Sequence, residues 1–518
     1  MTRRIGVLVL WAAALLGMQA GLAQPASPPQ AATASGLVEG VRTAGLLSFK
    51  GLPYAAPPVG ELRWREPQPA AAWSGVRQAS AYGTACLQKP GLSVEAGAGD
   101  PGPLSEDCLT LNVWTPRADA AARLPVMVWI HGGALVFGAG SPAFYDGSSL
   151  ASRGAVVVTI NYRLGPLGFF SHPALDKQRP SGPANFGLLD QIAALQWVQR
   201  NIAAFGGDPR NVTVFGQSAG AQSVLALFTS PLARGLFHQG IAQSPYGVPS
   251  HTRAKAQKVG VEIATAVGLS GATATAAQLR AVPAQRLAEL EGAALSLAPG
   301  FIVGDAALPR AILTAFQQGA QARVPLIIGS NSDEASVATA FGIDPAAVVK
   351  RLGAARIFVK PLYPGVSDDA QLGSEVVRDL LFTAFARRIA VLQAAQAPTW
   401  RYHYSQVQHA LRGQRAGVPH GGEITTVFGT GDTCACLGAP WAEADRAMSQ
   451  RVGAYWFEFA RSGVPAPAGE PPWPQDARAV SKTLEFGDTT ELRTDFMKRR
   501  LNTFIGVLNV AEKVLPSR

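Results

Sequence analysis

The sequence predicts an α/β fold, a mostly parallel central sheet with helices on both faces, and three observations carry that prediction. Residues 124–130 (LPVMVWI), 155–161 (AVVVTIN) and 324–329 (VPLIIG) are unbroken apolar runs, as expected of strands buried on both faces. Residues 188–204 (LLDQIAALQWVQRNIAA) place Leu189, Ile192 and Ile202 near the 3.6-residue spacing of a helix. Strand-like and helix-like segments alternate along the chain, the order that parallel strands joined by crossover helices require. A further short strand, 212–215, leads at once into Gly216-Gln217-Ser218-Ala219-Gly220 and a helix-like segment at 221–228. Residues 400–404 (WRYHY) read as a late aromatic strand, and the Ala-rich stretch 252–298 as helices that cap the sheet rather than extend it.

Composition fits this architecture and narrows the partners. Of 518 residues 47% are hydrophobic and 15% charged, enough apolar material for a large core and too little charge for a disordered chain. The net charge of +10 is spread thinly, with its densest late group at Lys498-Arg499-Arg500, so it describes a solvated surface rather than a nucleic-acid footprint.

The N-terminus carries Arg3 and Arg4, then an apolar run of 14 residues from Ile5 to Met18, then Gly21-Leu22-Ala23. A bilayer-spanning helix needs about 20 residues. The pattern therefore predicts a cleaved secretory signal over 1–23 rather than a stable membrane anchor, followed by a disordered lead-in over 24–35 rich in Pro, Ala and Gln. Export to a secreted or periplasmic location puts the four cysteines in an oxidising space. Cys86 and Cys108 flank a Gly/Pro-rich stretch. Cys434 and Cys436 are one residue apart, and free, metal-binding and strained bonded states all remain open for them; without a nearby His they make a poor zinc signal.

Chemistry concentrates at Gly216-Gln217-Ser218-Ala219-Gly220, a G-x-S-x-G turn between a strand and a helix. The sharp turn lifts the Ser218 hydroxyl into the open, and the helix behind it points backbone N–H groups at the same place. A serine needs a base to take its proton and an acid to orient that base. Downstream bases are His403 in an aromatic strand, His409 in a polar segment, and His420 in the loop Val418-Pro419-His420-Gly421-Gly422-Glu423. Candidate acids are Asp333 and Glu334, which follow the strand at 324–329, with Asp305 as a rival; local pattern does not separate them. His131-Gly132-Gly133-Ala134, directly after a strand, suits an oxyanion hole because bare glycine amides can face a developing charge.

Several longer stretches occur in a fixed order. They are Gly51-Leu52-Pro53-Tyr54-Ala55 with Pro57-Pro58, Ser105-Glu106-Asp107-Cys108-Leu109, Trp129-Ile130-His131-Gly132-Gly133 and Asn161-Tyr162-Arg163. Asn201-Ile202 leads to Phe205-Gly206-Gly207-Asp208-Pro209, and Asn331-Ser332-Asp333-Glu334 and His420-Gly421-Gly422-Glu423 complete the set. Together they resemble the type-B carboxylesterases, the α/β-hydrolases that include cholinesterases and bacterial para-nitrobenzyl esterases, from about Gly36 to Pro474.

The resemblance implies one large catalytic α/β-hydrolase domain over 36–518, with inserted cap and gorge loops. It implies a serine carboxylesterase acting on a small-molecule ester without metal or organic cofactor. By that similarity the triad is Ser218, Glu334 and His420, with oxyanion donors at the backbone N–H groups of Gly133, Ala134 and Ala219. It also implies a disulfide between Cys86 and Cys108, and ion pairs Arg63–Glu106 and Arg163–Asp190. Two departures stand out. Gln217 occupies the place where members often carry Glu, and the Cys86–Cys108 loop lacks the Trp on which cholinesterases stack choline, which argues against cholinesterase activity. Two alternatives are a non-catalytic binding protein of the same fold and a hydrolase preferring amides or lactones. The acyl and alcohol pockets are expected around the Cys86–Cys108 loop, Tyr246 and the helices before Phe301.

Overall fold

The computed structural model describes residues 27–247, 250–290, 300–338, 343–434, 440–477 and 480–514. Its centre is an eleven-stranded mixed sheet. In chain order the strands are β1 (Val41–Thr43), β2 (Leu46–Pro53), β3 (Thr110–Thr115), β4 (Leu124–Ile130), β5 (Val156–Ile160), β6 (Gly207–Gln217), β7 (Gln239–Gln243), β8 (Leu326–Asn331), β9 (Thr399–Tyr404), β10 (Lys482–Phe486) and β11 (Thr490–Thr494). They lie side by side as β1-β2-β3-β5-β4-β6-β7-β8-β9-β10-β11. From β5 to β10 every pairing is parallel, and the edges are antiparallel. The apolar runs read from the sequence are β4, β5 and β8, and the aromatic run is β9.

Alternation along each strand separates two cores. In β4, Val126, Val128 and Ile130 pack on one side with α1 (Phe186–Asn201), α2 (Ala219–Thr229) and α4 (Ala384–Ala394). Met127 and Trp129 face the other side, where α5 (Ile424–Phe428) and α6 (Glu443–Ser462) cover the sheet. All five residues are fully buried, which is why the run shows no polar alternation. Between β7 and β8, α3 (Arg253–Ala266) and two shorter helices, Ala276–Ala281 and Ala284–Ala288, supply the expected Ala-rich cap, packed with Trp64, Leu167 and Phe170 in a separate cluster.

One expectation is corrected. Gln30–Thr33 lies within the stretch assigned to a disordered lead-in, yet it forms a strand paired antiparallel with Gly36–Glu39. Ala31 and Val38 are buried against the main core there, and the Ala34 N–H donates to the Asn201 side chain at 2.7 Å. A short Ala-rich segment can be ordered by such tertiary contacts when its own propensity is weak. The signal-peptide assignment lies outside the described residues. No helix among the described residues is long and apolar enough to cross a membrane.

Long-range ties fix the loops at one rim. Cys86 and Cys108 form a disulfide closing a separation of 22 residues. Arg63 pairs with Glu106 at 2.7 Å and also donates to the Arg280 and Val282 carbonyls, joining the disulfide loop to the cap. Arg163 grips Asp190 through two hydrogen bonds of 2.8 and 2.7 Å, with both side chains almost wholly excluded from water. Cys434 is disulfide-bonded, which decides its state; Cys436 lies outside the described residues.

Replacing Asp190 by Asn leaves the Arg163 guanidinium buried without its counter-charge. We expect a loss of about 3–5 kcal/mol in unfolding free energy, measured by chemical denaturation. A change below about 1 kcal/mol would show that the pair behaves like a surface ion pair.

Candidate active site

Strands β4, β6 and β8 end at Ile130, Gln217 and Asn331, at the same rim of the sheet, and the loops that follow them carry the candidate residues. This is the edge where open parallel sheets place their chemistry. Ser218 is the single residue between β6 and α2, with φ 58° and ψ −121°. A non-glycine residue holds that conformation only where its surroundings impose it. Here its N–H donates to the Gln243 carbonyl at 2.9 Å, and its own carbonyl accepts from the Gln222 N–H at 2.9 Å. The flanking glycines are required by contact: a Cβ at Gly220 would lie 2.0 Å from the Ile130 carbonyl oxygen, and one at Gly216 would lie 2.6 Å from it. The turn thus presses β4 against the start of α2.

Glu334 and His420 meet across the rim. His420 Nδ1 lies 2.5 Å from Glu334 Oε2, and the Asn331 N–H donates to Glu334 Oε1 at 2.6 Å. Glu334 is completely buried, so these bonds replace its lost hydration. The Ser336 hydroxyl accepts from the His420 N–H at 2.8 Å, Asp333 bridges Pro419, and the Phe382 ring sits 5.0 Å from the imidazole. On its other edge, His420 Nε2 lies 3.2 Å from Gln217 Nε2, placing the imidazole beside the residue that precedes Ser218.

The loop after β4 is bent into an unusual shape. Gly133, Ala134 and Leu135 all have positive φ, of 98°, 53° and 65°. Val136 and Phe137 donate back to the Gly133 carbonyl, and a Cβ at Gly133 would fall 2.0 Å from the Phe137 carbonyl oxygen. Gln88, two residues beyond the disulfide's Cys86, both donates to the Gly138 carbonyl and accepts its N–H, at 3.0 and 2.8 Å. Ala219 opens α2, where first-turn N–H groups lack intrahelical partners. His131 is buried with its ring stacked on Tyr162; burial pushes its imidazole down to about 4, so it stays neutral.

The other candidates make no hydrogen bond to the imidazole among the described residues. Asp305 is buried and accepts from the Ala184 and Leu308 N–H groups and the Asn185 side chain, a structural cap. Asp333 adjoins Glu334 in sequence; burial and the Glu334 charge raise its carboxyl above the ordinary range. His403 is buried in β9 against Phe496, and burial drives its imidazole down to about 3. Its Nδ1 is buried without a hydrogen-bond partner. His409 lies in a short helical turn with its N–H on Asp445.

Four participants, Glu423, Asn331, Gln243 and Trp456, carried no assigned role in the sequence. Glu423 is buried at the end of the His420 loop and accepts from Asn331 Nδ2 at 2.5 Å and Gln243 Nε2 at 3.0 Å; burial and Glu334 raise its carboxyl. Gln243 also accepts from Trp456 Nε1 at 3.1 Å. The one available signal was the placement of Glu423 three residues after His420, in a motif whose glycines drew attention first.

A doubly covered parallel sheet with a strained serine turn and a carboxylate–imidazole pair at one rim defines a hydrolase of the α/β class. The chain matches the carboxylesterase family over residues 27–356 and 367–504. It is 37% identical over 473 residues to the fumonisin B1 esterase of Sphingopyxis macrogoltabida, covering 88% of this chain and 86% of that protein. It is 36% identical over 481 residues to the para-nitrobenzyl esterase of Bacillus subtilis, covering 89% of this chain and 96% of that one. Among solved structures, a carboxylesterase of Geobacillus stearothermophilus superposes with a TM-score of 0.80 at 31% identity, covering 92% of this chain and 99% of that one. This chain belongs to the carboxylesterase family and is a carboxylic ester hydrolase.

Substituting Gly220 by Ala forces its Cβ into the Ile130 carbonyl. We expect a loss of about 1–3 kcal/mol in stability together with reduced kcat, followed by urea denaturation and an ester assay on the same preparation. Unchanged values in both would mean that the β4–α2 contact has slack.

Proposed function

We propose that the protein is an exported serine carboxylesterase that works through an acyl-enzyme, with residues 1–23 removed on export. His420 Nε2 takes the Ser218 hydroxyl proton as Oγ attacks the ester carbonyl. Gly133, Ala134 and Ala219 donate their N–H groups to the oxyanion of the tetrahedral intermediate, and the alcohol leaves with the proton from Nε2. A water molecule activated by the same imidazole then attacks the acyl-serine, and the acid departs with Ser218 regenerated. Glu334 holds the ring through Nδ1 and stabilises the imidazolium in both halves.

The observation that carries this reading is the imidazole of His420, bonded at one edge to a buried carboxylate and facing the Gln217–Ser218 turn with the other. The Cys86–Cys108 disulfide supports the exported location, since such bonds persist in oxidising compartments. The names of the relatives make nitrobenzyl and nitrophenyl esters sensible first substrates.

Ser218→Ala should lower kcat on a short-chain nitrophenyl ester by about 10⁴-fold or more, with the far-ultraviolet dichroism unchanged. Retained turnover would defeat the assignment of the nucleophile. Glu334→Gln should cost about 10⁴-fold in kcat, because an amide cannot support the imidazolium; a loss under tenfold would move that role to another acid.

A further inference from the structure

We infer that Gln217 is a positioning residue of this site: its side-chain amide fixes the neutral His420 ring in the tautomer a base requires, and does so without adding charge. The inference rests on the reading of His420 as the base for Ser218.

The argument starts from donor and acceptor types. An amide NH2 only donates, so in the 3.2 Å contact between Gln217 Nε2 and His420 Nε2 the ring nitrogen is the acceptor and carries the lone pair. The ring proton then resides on Nδ1, where Glu334 Oε2 waits at 2.5 Å. Glu334 alone would accept from Nδ1 of the neutral or the protonated ring. The second contact, from Gln217, singles out the neutral form, its one Nε2 lone pair occupied by the amide at rest and given over to the Ser218 hydroxyl when that group donates its proton.

The amide is buried between two loops. Gln217 is only 4% exposed. Its Oε1 faces the loop after β4, 3.2 Å from where a Gly132 Cβ would stand, and its Nε2 faces the His420 loop, 3.7 Å from a Gly421 Cβ. Because Gln217 is the last residue of β6 and Ser218 the next, one backbone places the imidazole's resting donor and its reaction partner side by side. On protonation, Nε2–H can no longer accept, and the amide has no oxygen turned toward it.

The charges around the ring come from several elements. Glu334 bonds it directly, and Asp333 adjoins, with Arg378 and Arg415 opposing its charge. Glu423 lies behind Asn331, and the Phe382 ring lies 5.0 Å from the imidazole with Tyr246 packed on Phe382. Among the described residues, Gln217 is the only side chain besides Glu334 that hydrogen-bonds the imidazole, so its neutrality governs what Nε2 experiences.

The test changes that neutrality at constant shape. Gln217→Glu puts a carboxylate against Nε2, and the acid limb of the kcat/KM–pH profile should rise by at least about one pH unit, with activity recovering at alkaline pH. Gln217→Leu, which removes the donor without adding charge, should lower the plateau with a much smaller displacement of the limb. A purely structural role would lower both plateaus and move neither limb. Ring-labelled histidine NMR provides the readout without turnover: in the unaltered protein His420 should show the Nδ1–H tautomer, and in Ser218→Ala the Gln217→Glu change should still raise its titration midpoint. An Nε2–H tautomer, or a midpoint unmoved by Gln217→Glu, overturns the inference. If Ser218→Ala kept full turnover, the triad reading would fail instead, so the two failures are separable.

Discussion

The site depends on one buried carboxylate. Glu334 lies at zero solvent exposure, and an ion so placed is tolerated only when hydrogen bonds replace its water. Its two oxygens are spoken for by the Asn331 N–H and by His420 Nδ1. That requirement dictates where the His420 loop must go. It has to cross from β9 to the end of β8, and the Asp333–Pro419 bridge, the Ser336–His420 bond and the Ser332–Val418 bond carry it there. The imidazole is thus placed by the needs of the acid, and its free edge falls beside Gln217.

On the opposite side of the site the constraint is steric. The contacts of Gly216 and Gly220 with the Ile130 carbonyl mean that β4 and the start of α2 approach as closely as backbones can. The same approach places the loop 131–135 over the serine turn. That loop holds three successive residues at positive φ, a conformation that costs free energy and persists only when fixed from outside. Gln88 provides such fixing by holding both backbone groups of Gly138, and Gln88 is itself anchored next to the Cys86–Cys108 bridge. The disulfide loop therefore acts at a distance on the geometry of the candidate oxyanion donors.

Much of this was legible in the sequence, for identifiable reasons. Strands β4, β5 and β8 announced themselves because both of their faces are buried, which leaves an unbroken apolar run. The serine turn was legible because its glycines are forced by contact, and the ion pairs Arg63–Glu106 and Arg163–Asp190 followed from the family resemblance. What local pattern could not do was choose among Asp305, Asp333 and Glu334, since all three are acids near strand ends or loops. Tertiary contacts do distinguish them: Asp305 is consumed in capping 184–185 and 308, while of the three Glu334 alone hydrogen-bonds the imidazole. The strand at Gln30–Thr33 was missed because an Ala-rich segment carries little propensity of its own and is ordered by Val38 and Asn201 from elsewhere.

The least legible part is the polar connection beneath the site, and it is also what joins its halves. Gln243, the last residue of β7, accepts the Ser218 N–H with its backbone carbonyl and donates to Glu423 with its side chain. Glu423 in turn accepts from Asn331, whose N–H supports Glu334. Trp456 on α6 steadies Gln243 from the far face of the sheet. Two carboxyl groups this close in a dry interior oppose each other's charge, and the upward push on Glu423 from burial and from Glu334 is the expected consequence. Such networks stabilise only when nearly every group in them is paired, because each orphaned group costs about 1–3 kcal/mol. Serine turn and acid loop, far apart in the chain, are therefore held in one register by Gln243, Glu423 and Asn331, and a disturbance at any of these reaches both.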